Sequence, residues 1–323
     1  MPERAGHSEN VPEAAIAEQE RFRVRLMAEG DLAAIVRVDG ERRGSPTAFH
    51  AGKLTACLRE PGINTSLVAE ADRVVVGFLM GRLFFGEFGV PLTRAVLDWM
   101  AVLPAFAHQG AAHALFEQYV RNVRGLGVEA IDTLVEWDRF DLLGFFRSVG
   151  FRPSRDVDLV WSLEKHPYRA PQAAVLVREA GERDMAAVSA IDGEAIRAAR
   201  PLYFAARLRA VRERPERGFF LVAERDGRVL GFIAGSLYQG EFGIDDLRGV
   251  IDSFAVAPPE RNRGVGSALV AGLTGRMRPA GVRQMETLCR WNDWELLRFF
   301  ERVGFRPSAR LNLELRLGEE RGG

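Results

Sequence analysis

The sequence matches itself at a shift of 154 residues, from about Ala51 to Leu163. Nearer the start the shift is 153, so one residue is gained between the first two predicted helices. A period this long indicates a duplicated domain, because solenoid repeats run only about 20–50 residues. The clearest matched pairs are Gly86-Glu87-Phe88-Gly89 with Gly240-Glu241-Phe242-Gly243, Asp98 with Asp252, Trp137 with Trp291, and Gly150-Phe151-Arg152-Pro153 with Gly304-Phe305-Arg306-Pro307.

The repeat sets the expected domain organisation of the 323 residues. The length suits two domains of ordinary size, each with its own core. A polar stretch with two prolines, EKHPYRAPQA, has the composition of a linker. We expect a mobile tail over 1–20, a first domain over 21–164, a linker over 165–172 and a second domain over 173–318.

Composition excludes several function classes. The 44 basic and 44 acidic residues give zero formal net charge, which argues against a nucleic-acid or anionic-membrane partner. Cys57 and Cys289 are the only cysteines, too few for a disulfide framework or a cysteine-rich metal site. The sequence has no apolar run near the roughly 18–20 residues that span a bilayer, and its acidic first 20 residues do not resemble a secretory signal. We expect a cytoplasmic protein without a bound metal.

The second copy predicts the element order β-α-α-β-β-β-α-β-α-β. Asp226-Gly227 between two apolar runs is typical of a hairpin turn, and Asp184 is a helix-start signal. Antiparallel hairpins come first and helical crossovers later. The first copy gives the same order. The predicted fold class is therefore α/β, with a mixed α+β sheet in each copy.

The strongest local motif runs from Val256 to Leu269, with sequence VAPPERNRGVGSAL. It predicts a strand that enters a glycine-bearing turn and then directly a helix, where free backbone N–H groups favour an anion. The motif lacks the lysine and Ser/Thr of a P-loop, and its place at the fourth strand excludes a dinucleotide fingerprint. A purely structural turn stays open.

These residues resemble the GNAT acetyltransferase superfamily. Arg261-x-x-Gly264-x-Gly266 is similar to the family's (Gln/Arg)-x-x-Gly-x-(Gly/Ala) pyrophosphate loop, and the later Asn292, Phe300 and Gly304-Phe305 resemble its downstream strand and helix. The resemblance covers each copy nearly end to end. It implies two tandem GNAT-like acyl-CoA N-acyltransferase domains that use acetyl-CoA, an arrangement similar to that of mycothiol synthase.

The resemblance also implies where the cofactor binds. The fourth and fifth strands would splay apart around the pantetheine arm, the thioester carbonyl would meet a backbone N–H of the fourth strand, and the turn would hold the pyrophosphate. The implied cofactor-binding residues are Phe254, Ala255, Val256, Arg261, Asn262, Arg263, Gly264, Val265, Gly266, Ser267 and Asn292.

The two copies differ at positions that matter for this chemistry. The first has Ala107 where the second has Arg261, and Asp138 in place of Asn292. Both differences disfavour a polyanion in the first copy, since an arginine–phosphate contact contributes about 1.5–3 kcal/mol. We therefore expect the first domain to be degenerate and the second to be active. Both copies also have phenylalanine, Phe300 in the second, where many members have the tyrosine that protonates the leaving thiolate.

Asp252 is the first candidate catalytic residue. Period-two alternation places it on one strand face with Val250 and Phe254, looking into the cleft. A carboxylate among apolar neighbours is a candidate general base, acting through water. Asp98 repeats it in the copy that we expect to be inactive, so a structural role stays open.

Other side chains are weaker candidates. Glu241 would line the acceptor site or serve structure, since the first copy repeats it. Tyr238 and Tyr203 would replace the missing proton donor, or simply pack. Trp291 would pack or border the cofactor cleft, and the arginine-rich second helix would be solvated or contact an acidic acceptor. Trp294 is also expected to pack, and Cys289 is expected to be a small buried hydrophobe. The arginines of the second helix are Arg207, Arg209, Arg212 and Arg214.

The function that these residues favour is an acetyl-CoA-dependent N-acetyltransferase. A neutral primary amine of a small-molecule or peptide acceptor would attack the thioester directly, with both substrates bound at once. The alternative is a non-catalytic acyl-CoA-binding or sensing protein, which the missing tyrosine favours. A third alternative is a second domain that works only when packed against the first. Homodimerisation stays open.

Overall fold

A computed structural model describes residues 21–43, 65–85, 88, 93–165, 168, 174–198, 200–239 and 247–318. The first copy contributes β1 (Arg23–Leu26), α1 (Leu32–Arg43), β2 (Leu67–Ala71), β3 (Val74–Phe85), β4 (Thr93–Val102), α2 (Ala111–Gly125), β5 (Ala130–Glu136), α3 (Phe140–Ser148), β6 (Arg152–Pro153) and β7 (Asp156–Ser162). The second contributes β8 (Leu176–Glu179), α4 (Met185–Ile196), α5 (Pro201–Glu213), β9 (Gly218–Arg225), β10 (Arg228–Gln239), β11 (Leu247–Val256), α6 (Val265–Met277), β12 (Gln284–Arg290), α7 (Trp294–Val303), β13 (Arg306–Pro307) and β14 (Arg310–Arg316).

The strands form two seven-stranded sheets of the same topology. Their orders are β1-β2-β3-β4-β5-β14-β6 and β8-β9-β10-β11-β12-β7-β13. In the second sheet the pairs from β8 to β11 are antiparallel, β11 pairs with β12 in parallel, and β12 pairs antiparallel with β7. The predicted fold class, a mixed α/β sheet in each of two tandem repeats, is confirmed.

The last long strand of each repeat lies in the sheet of the other repeat. Strand β14 pairs with β5 over seven residues, and β7 pairs with β12 over seven residues. The sequence pattern predicts the strand near Leu311–Leu317 but assigns it to the second domain's own sheet. The structure differs because β7 and β14 have the same length and similar alternation, so the pattern does not say which sheet receives which strand.

The chain divides into two compact units, and both exchanged strands belong to the same one. That unit comprises Leu83–Val96 and Gly127–Gly323, and the other comprises Met1–Arg82 and Leu97–Leu126. The boundaries predicted from the repeat divide the chain at one linker. The compact units instead place β5 and β7 of the first copy in the same unit as the second copy.

Buried charges join the exchanged strands. Arg310 of β14 contacts Asp158 of β7 at 2.7 Å and Glu286 of β12 at 2.9 Å. Glu286 also pairs with Arg248 of β11, and Ser308 donates a 2.6 Å hydrogen bond to Asp158. Buried charges of this kind cost several kcal/mol each when a partner is removed, so they specify which strand lies here.

The second sheet is covered on both faces. On one face α6 and α7 cover a cluster that includes Leu221, Ile251 and Met285. On the other face α4 and α5 cover a cluster that includes Phe220 and Phe232. We call these the α6–α7 face and the α4–α5 face. Among the described residues, no helix has both the length and the apolarity needed to cross a bilayer.

A three-residue ion cluster recurs in both copies. Arg178 of β8 contacts Asp184, which precedes α4, at 2.7 Å, and also pairs with Glu224 of β9. The first copy repeats the cluster with Arg25, Asp31 and Glu70. Hydrogen bonds from Arg178, helped by the Gly181 N–H, lower the pKa of the Asp184 carboxyl. The match supports duplication of a complete domain.

The strand exchange predicts how the halves behave after cleavage. With a protease site placed between residues 169 and 173, both halves should still co-elute in gel filtration after cutting, because each exchanged strand retains its seven-residue ladder. Residues 173–323 produced alone lack β7, which leaves the β12 edge unpaired, and should self-associate. A monomeric 173–323 with native circular dichroism would contradict the exchange.

The ion cluster predicts a pH-dependent loss of stability for Arg178→Gln. Because the folded pKa of Asp184 lies below its unfolded value, its contribution is present above the unfolded pKa and is lost as pH falls through the folded one. The variant should lose about 1.5–3 kcal/mol near neutral pH and progressively less toward pH 3 or below, measured by urea unfolding. Arg183→Gln, at a position 75% exposed, is the matched control and should change little.

Candidate active site

The fourth and fifth strands of the second copy, β11 and β12, form an open fork. They pair only from Arg248 to Ile251 along β11, opposite Gln284–Thr287. Beyond this point β11 continues to Val256, and the described residues of the two strands form no further pairs. Thr287 Oγ1 donates a 2.8 Å hydrogen bond to the Ile251 carbonyl at the closed end. The structure therefore contains the splay that the family resemblance implies.

Backbone groups of β11 face the open side of the fork. The Ala257 N–H donates to the Leu230 carbonyl of β10 at 2.9 Å. Since successive backbone groups of a strand point to opposite edges, the N–H groups of Val256 and Phe254 point away from β10. The Val256 carbonyl accepts a 3.3 Å hydrogen bond from Arg261 Nε, which agrees with this direction. These donors are available to a carbonyl placed in the fork.

A β-bulge marks the point where the fork opens. On β10, Ala234 pairs with Ser253 and the next residue, Gly235, pairs with Ile251, so Asp252 is the extra residue of β11. The bulge breaks the alternation of side chains. Asp252 contacts α5, whereas Phe254 stacks on Phe299 of α7, with ring centroids 4.9 Å apart.

The prediction that Asp252 and Phe254 share one face is therefore wrong. Period-two alternation holds only for a regular ladder, and the bulge adds one residue between the two positions. Asp252 lies on the α4–α5 face and is 4% exposed. Phe254 lies on the α6–α7 face.

Asp252 belongs to a cluster of polar side chains at the bulge. Its Oδ1 accepts a 2.7 Å hydrogen bond from the Tyr203 hydroxyl, and its Oδ2 forms an ion pair with Arg207. The Tyr203 hydroxyl also accepts a 3.2 Å hydrogen bond from Ser253 Oγ. Both carboxylate oxygens are therefore occupied, and Tyr203 is half-buried while Asp252 and Ser253 are buried. We call Tyr203, Arg207, Asp252 and Ser253 the bulge cluster.

A second ion pair lies next to the bulge cluster. Arg200 donates from Nε to Asp192 of α4 at 2.9 Å, and both side chains are buried. The Arg200 guanidinium also lies over the Tyr203 ring, 4.8 Å from its centroid. This cation–π contact fixes the ring at the start of α5.

The burial of Arg207 contradicts its predicted place on a solvated or acceptor-contacting helix face. Its side chain is 12% exposed and neutralised by Asp252. Arg207 lies on the same side of α5 as Phe204 and Leu208, which are buried against the sheet, so its side chain turns inward with them. Arg212 of the same helix is half-exposed and pairs with Glu182, as a surface residue does.

The glycine-bearing turn has the conformation of an anion site. Asn262 and Gly264 have positive φ values of 60° and 82°, and Gly264 is the N-cap of α6. The first intrahelical hydrogen bond runs from the Ala268 N–H to the Gly264 carbonyl, so the amides of 265–267 precede the helical ladder. Amides at a helix start favour negative charge.

Charged side chains flank this turn. Arg261 is partly exposed and lies 3.5 Å from Glu295 at the start of α7. Arg263 is exposed and lies 3.8 Å from Glu260. Both guanidinium groups thus lie near the anion site in weak ion pairs, since exposed pairs at these distances contribute little to stability.

Gly266 is constrained by packing of the core. A Cβ at this position would lie 3.0 Å from Phe254 and 3.1 Å from Phe299, so the glycine permits the stack of aromatic rings. Its missing side chain points into the core, not toward a phosphate. Val265 is likewise 1% exposed and is a core residue, so both would offer a ligand only backbone groups.

The remaining sequence candidates are placed as follows. Tyr238 is half-buried on β10 opposite Arg248, at the closed end of the fork. Glu241 lies outside the described residues. Asn292 is in an exposed turn, and Asp293, which the sequence motif does not single out, caps α7 by accepting from the Leu296 N–H at 3.1 Å.

Two packing predictions have different outcomes. Cys289 is buried as expected, and burial raises the pKa of its thiol well above the ordinary value. Trp291 and Trp294 do not pack as expected, because they are 54% and 66% exposed.

In the described part of the chain no group of three or more His, Cys, Asp or Glu is arranged to hold a metal ion.

The first copy keeps the turn but not the bulge cluster. His108 and Gly110 have φ values of 58° and 91°, close to those of Asn262 and Gly264. Asp98, the equivalent of Asp252, is instead held by a hydrogen-bonded ion pair with Arg82 of β3. Trp99 stands in the place of Ser253. The equivalent carboxylates are therefore neutralised in different ways.

Comparison with known proteins decides the family. A model described as "Acetyltransferase (GNAT) family" matches residues 32–151 and 187–305, which together are more than half of the chain. The chain belongs to the GNAT acetyltransferase family. The two matched regions coincide with the two copies, so the family assignment applies to each.

A curated relative agrees with this assignment. The L-2,4-diaminobutyric acid acetyltransferase of Nocardia farcinica is 36% identical over 94 residues, which are 29% of this chain and 47% of that protein. The chain thus matches about half the length of this curated relative.

Solved structures show the same fold. A GCN5-related N-acetyltransferase from Sphaerobacter thermophilus has a TM-score of 0.63 at 19% identity, with coverage of 93% of this chain and 98% of that chain. A tandem GNAT protein from the clavulanic acid biosynthesis pathway also has a TM-score of 0.63, at 16% identity, with coverage of 93% and 99%. The tandem GNAT arrangement therefore spans nearly the whole chain.

The bulge cluster predicts a coupled loss of stability. Asp252→Asn should destabilise the protein by about 3–5 kcal/mol, because it leaves the Arg207 charge buried without a counter-charge. The double variant with Arg207→Met should recover part of that loss, since it removes the second charge as well. Urea unfolding of both single variants and the double variant completes the cycle. Additive losses would show that the two side chains do not interact.

Proposed function

We propose that the protein is an acetyl-CoA-dependent N-acetyltransferase whose second copy transfers an acetyl group to a primary amine. The observation that carries the proposal is the opening of the β11–β12 fork beside the bulge cluster and the anion-binding turn. Membership of the GNAT family supports the reaction type. Acetyl-CoA supplies an activated acyl group as its thioester.

The residues of the second copy fit acetyl-CoA. The turn from Arg261 to Ser267 offers helix-start amides and two exposed guanidinium groups to a pyrophosphate. The N–H groups of Phe254 and Val256 face the fork, where they would polarise a thioester carbonyl. Ala255 would contribute only backbone, because its side chain packs on the α4–α5 face. Asn292 is exposed and would contact the pantetheine arm.

Several differences favour the second copy as the active one. The first copy has Ala107 in place of Arg261 and Asp138 in place of Asn292. Its mid-strand Asp98 is neutralised by Arg82 from within the sheet. Because the turn conformation is retained, these losses should weaken cofactor binding without abolishing the turn.

The protein's main contribution to the reaction would be orientation. Both substrates are held together, the strand amides polarise the carbonyl, and a neutral amine attacks it directly. Asp252 is the base that the sequence suggests, but Tyr203 and Arg207 occupy both of its oxygens, so we propose that it acts by positioning a neighbouring group. Tyr238 and Glu241 are proposed on the acceptor side, where β10 ends and the next segment begins.

The acceptor is proposed to be a small molecule or a peptide with a free amine. The curated relative's name specifies L-2,4-diaminobutyric acid, which makes diamino acids the first class to screen. A second candidate function is non-catalytic acyl-CoA binding or sensing. It is favoured by Phe300, which is 1% exposed and places no ionisable group where many family members have tyrosine.

Matched glycine variants test the proposal. Wild-type protein with acetyl-CoA and an amine library should release free thiol, and calorimetry should show one tight acetyl-CoA site per chain or two sites of unequal affinity. Gly264→Glu should erase the tight site by placing an anion in the turn. Gly110→Glu is the control, because it introduces the same strain at a similar positive φ in the first copy.

Each outcome of this experiment has a distinct meaning. Binding without thiol release for any amine favours the sensing function. Loss of the tight site in Gly110→Glu would show that the first copy is the active one. Equal weakening of two equal sites would show that neither copy is degenerate.

A further inference from the structure

Transfer of an acetyl group from a thioester to an amine requires a proton to leave the nitrogen and one to reach the sulfur. The chain has three tyrosines after residue 164, namely Tyr168, Tyr203 and Tyr238. Tyr168 packs edge-on against Trp161, and Tyr238 lies at the closed end of the fork. The Tyr203 hydroxyl has hydrogen bonds to two residues of the bulge region, Asp252 and Ser253.

The Tyr203 hydroxyl lies where β11 leaves both of its neighbours. Pairing with β12 ends at Ile251, and the register with β10 slips at Asp252. The hydroxyl is within hydrogen-bond distance of both Asp252 and Ser253, the first two residues of the open segment. An acyl group whose carbonyl meets the N–H of Phe254 would therefore lie one residue along β11 from the Ser253 that contacts this hydroxyl.

The surroundings of the hydroxyl suit proton transfer. Asp252 accepts its hydrogen bond, Arg207 neutralises Asp252, and Arg200, paired with Asp192, lies over the ring. Each arginine near the phenol is thus paired with a carboxylate, so the network is neutral as a whole and holds the hydroxyl in a fixed position. Tyr203 is half-buried, whereas Asp252 is 4% exposed.

We propose that Tyr203 is the catalytic proton carrier of the second copy, and this inference rests on the proposed acetyl transfer. As the C–N bond forms and the C–S bond breaks, Tyr203 donates its hydroxyl proton to the departing sulfur and takes one proton from the acceptor nitrogen. The nitrogen loses one proton, the sulfur gains one, and Tyr203 ends as it began. Asp252, Arg207 and Ser253 are positioning residues for this hydroxyl.

The first copy supports the assignment by contrast. The shift of 153 or 154 residues places His50 or Phe49 opposite Tyr203, and Trp99 opposite Ser253. Neither position supplies the tyrosine, although the mid-strand aspartate is retained as Asp98. Both copies therefore have the aspartate, whereas the tyrosine occurs in the copy that has Arg261.

Tyr203→Phe tests the proposal by removing one oxygen while keeping the ring that contacts Arg200 and Phe204. Without turnover, calorimetry compares CoA with desulfo-CoA, which lacks the sulfur. Wild-type protein should bind CoA about three- to tenfold more tightly, as one hydrogen bond predicts, and the variant should bind both ligands equally. Tyr168→Phe is the matched control and should keep the wild-type ratio.

Kinetics supply the second readout. Tyr203→Phe should lower kcat by about 10²-fold or more with little change in KM for acetyl-CoA, and should remove the alkaline limb of the pH–rate profile. The charged groups that face the hydroxyl are Asp252, Arg207, Arg200 and Asp192, and all of them remain in the variant.

Wild-type kcat and an unchanged CoA to desulfo-CoA ratio in Tyr203→Phe would overturn the proposal while leaving acetyl transfer standing. A large rise in KM together with a lowered melting temperature would show a structural role and also overturn it. Wild-type protein that binds neither CoA nor desulfo-CoA would instead overturn the proposed function itself.

Discussion

Strand β12 can serve as one arm of an open fork because its other edge is fully paired. The seven-residue ladder with β7 holds β12 in the sheet. Strand β11 can therefore separate from β12 after Ile251 while β12 stays paired along its other edge. That ladder is supplied by the first copy. The geometry of the fork in the second copy therefore depends on a strand that precedes the linker.

The exchange also explains where buried charge is concentrated. Arg310, Asp158 and Glu286 meet where β14 and β7 approach each other, and each would be costly to bury alone. Asp132 of β5 has its pKa raised by burial even though Arg94 contacts it. Glu314 of β14 completes that group from the exchanged strand. Two similar strands thus carry different charges, and charge distinguishes their places where the apolar pattern does not.

Much of the site was predictable because its parts are local. The turn conformation follows from Gly264 and its neighbours, the helix start follows from the turn, and the element order follows from hydrophobic periodicity. The exchange was not predictable, because similar alternation in β7 and β14 leaves the choice of sheet to long-range contacts. The bulge was not predictable either, because it exists only in the register between β10 and β11.

The error over Asp252 has the most direct consequence for function. One extra residue in β11 moves Asp252 to the α4–α5 face and leaves Phe254 on the α6–α7 face, so the carboxylate contacts Arg207 and Tyr203 of α5. A carboxylate with both oxygens occupied is better suited to orient a neighbour than to take a proton itself. The first copy has the same aspartate held by Arg82 from β3. The aspartate is therefore held in the strand in both copies, and the copies differ in its partners, which are an arginine in the first and an arginine with a tyrosine in the second.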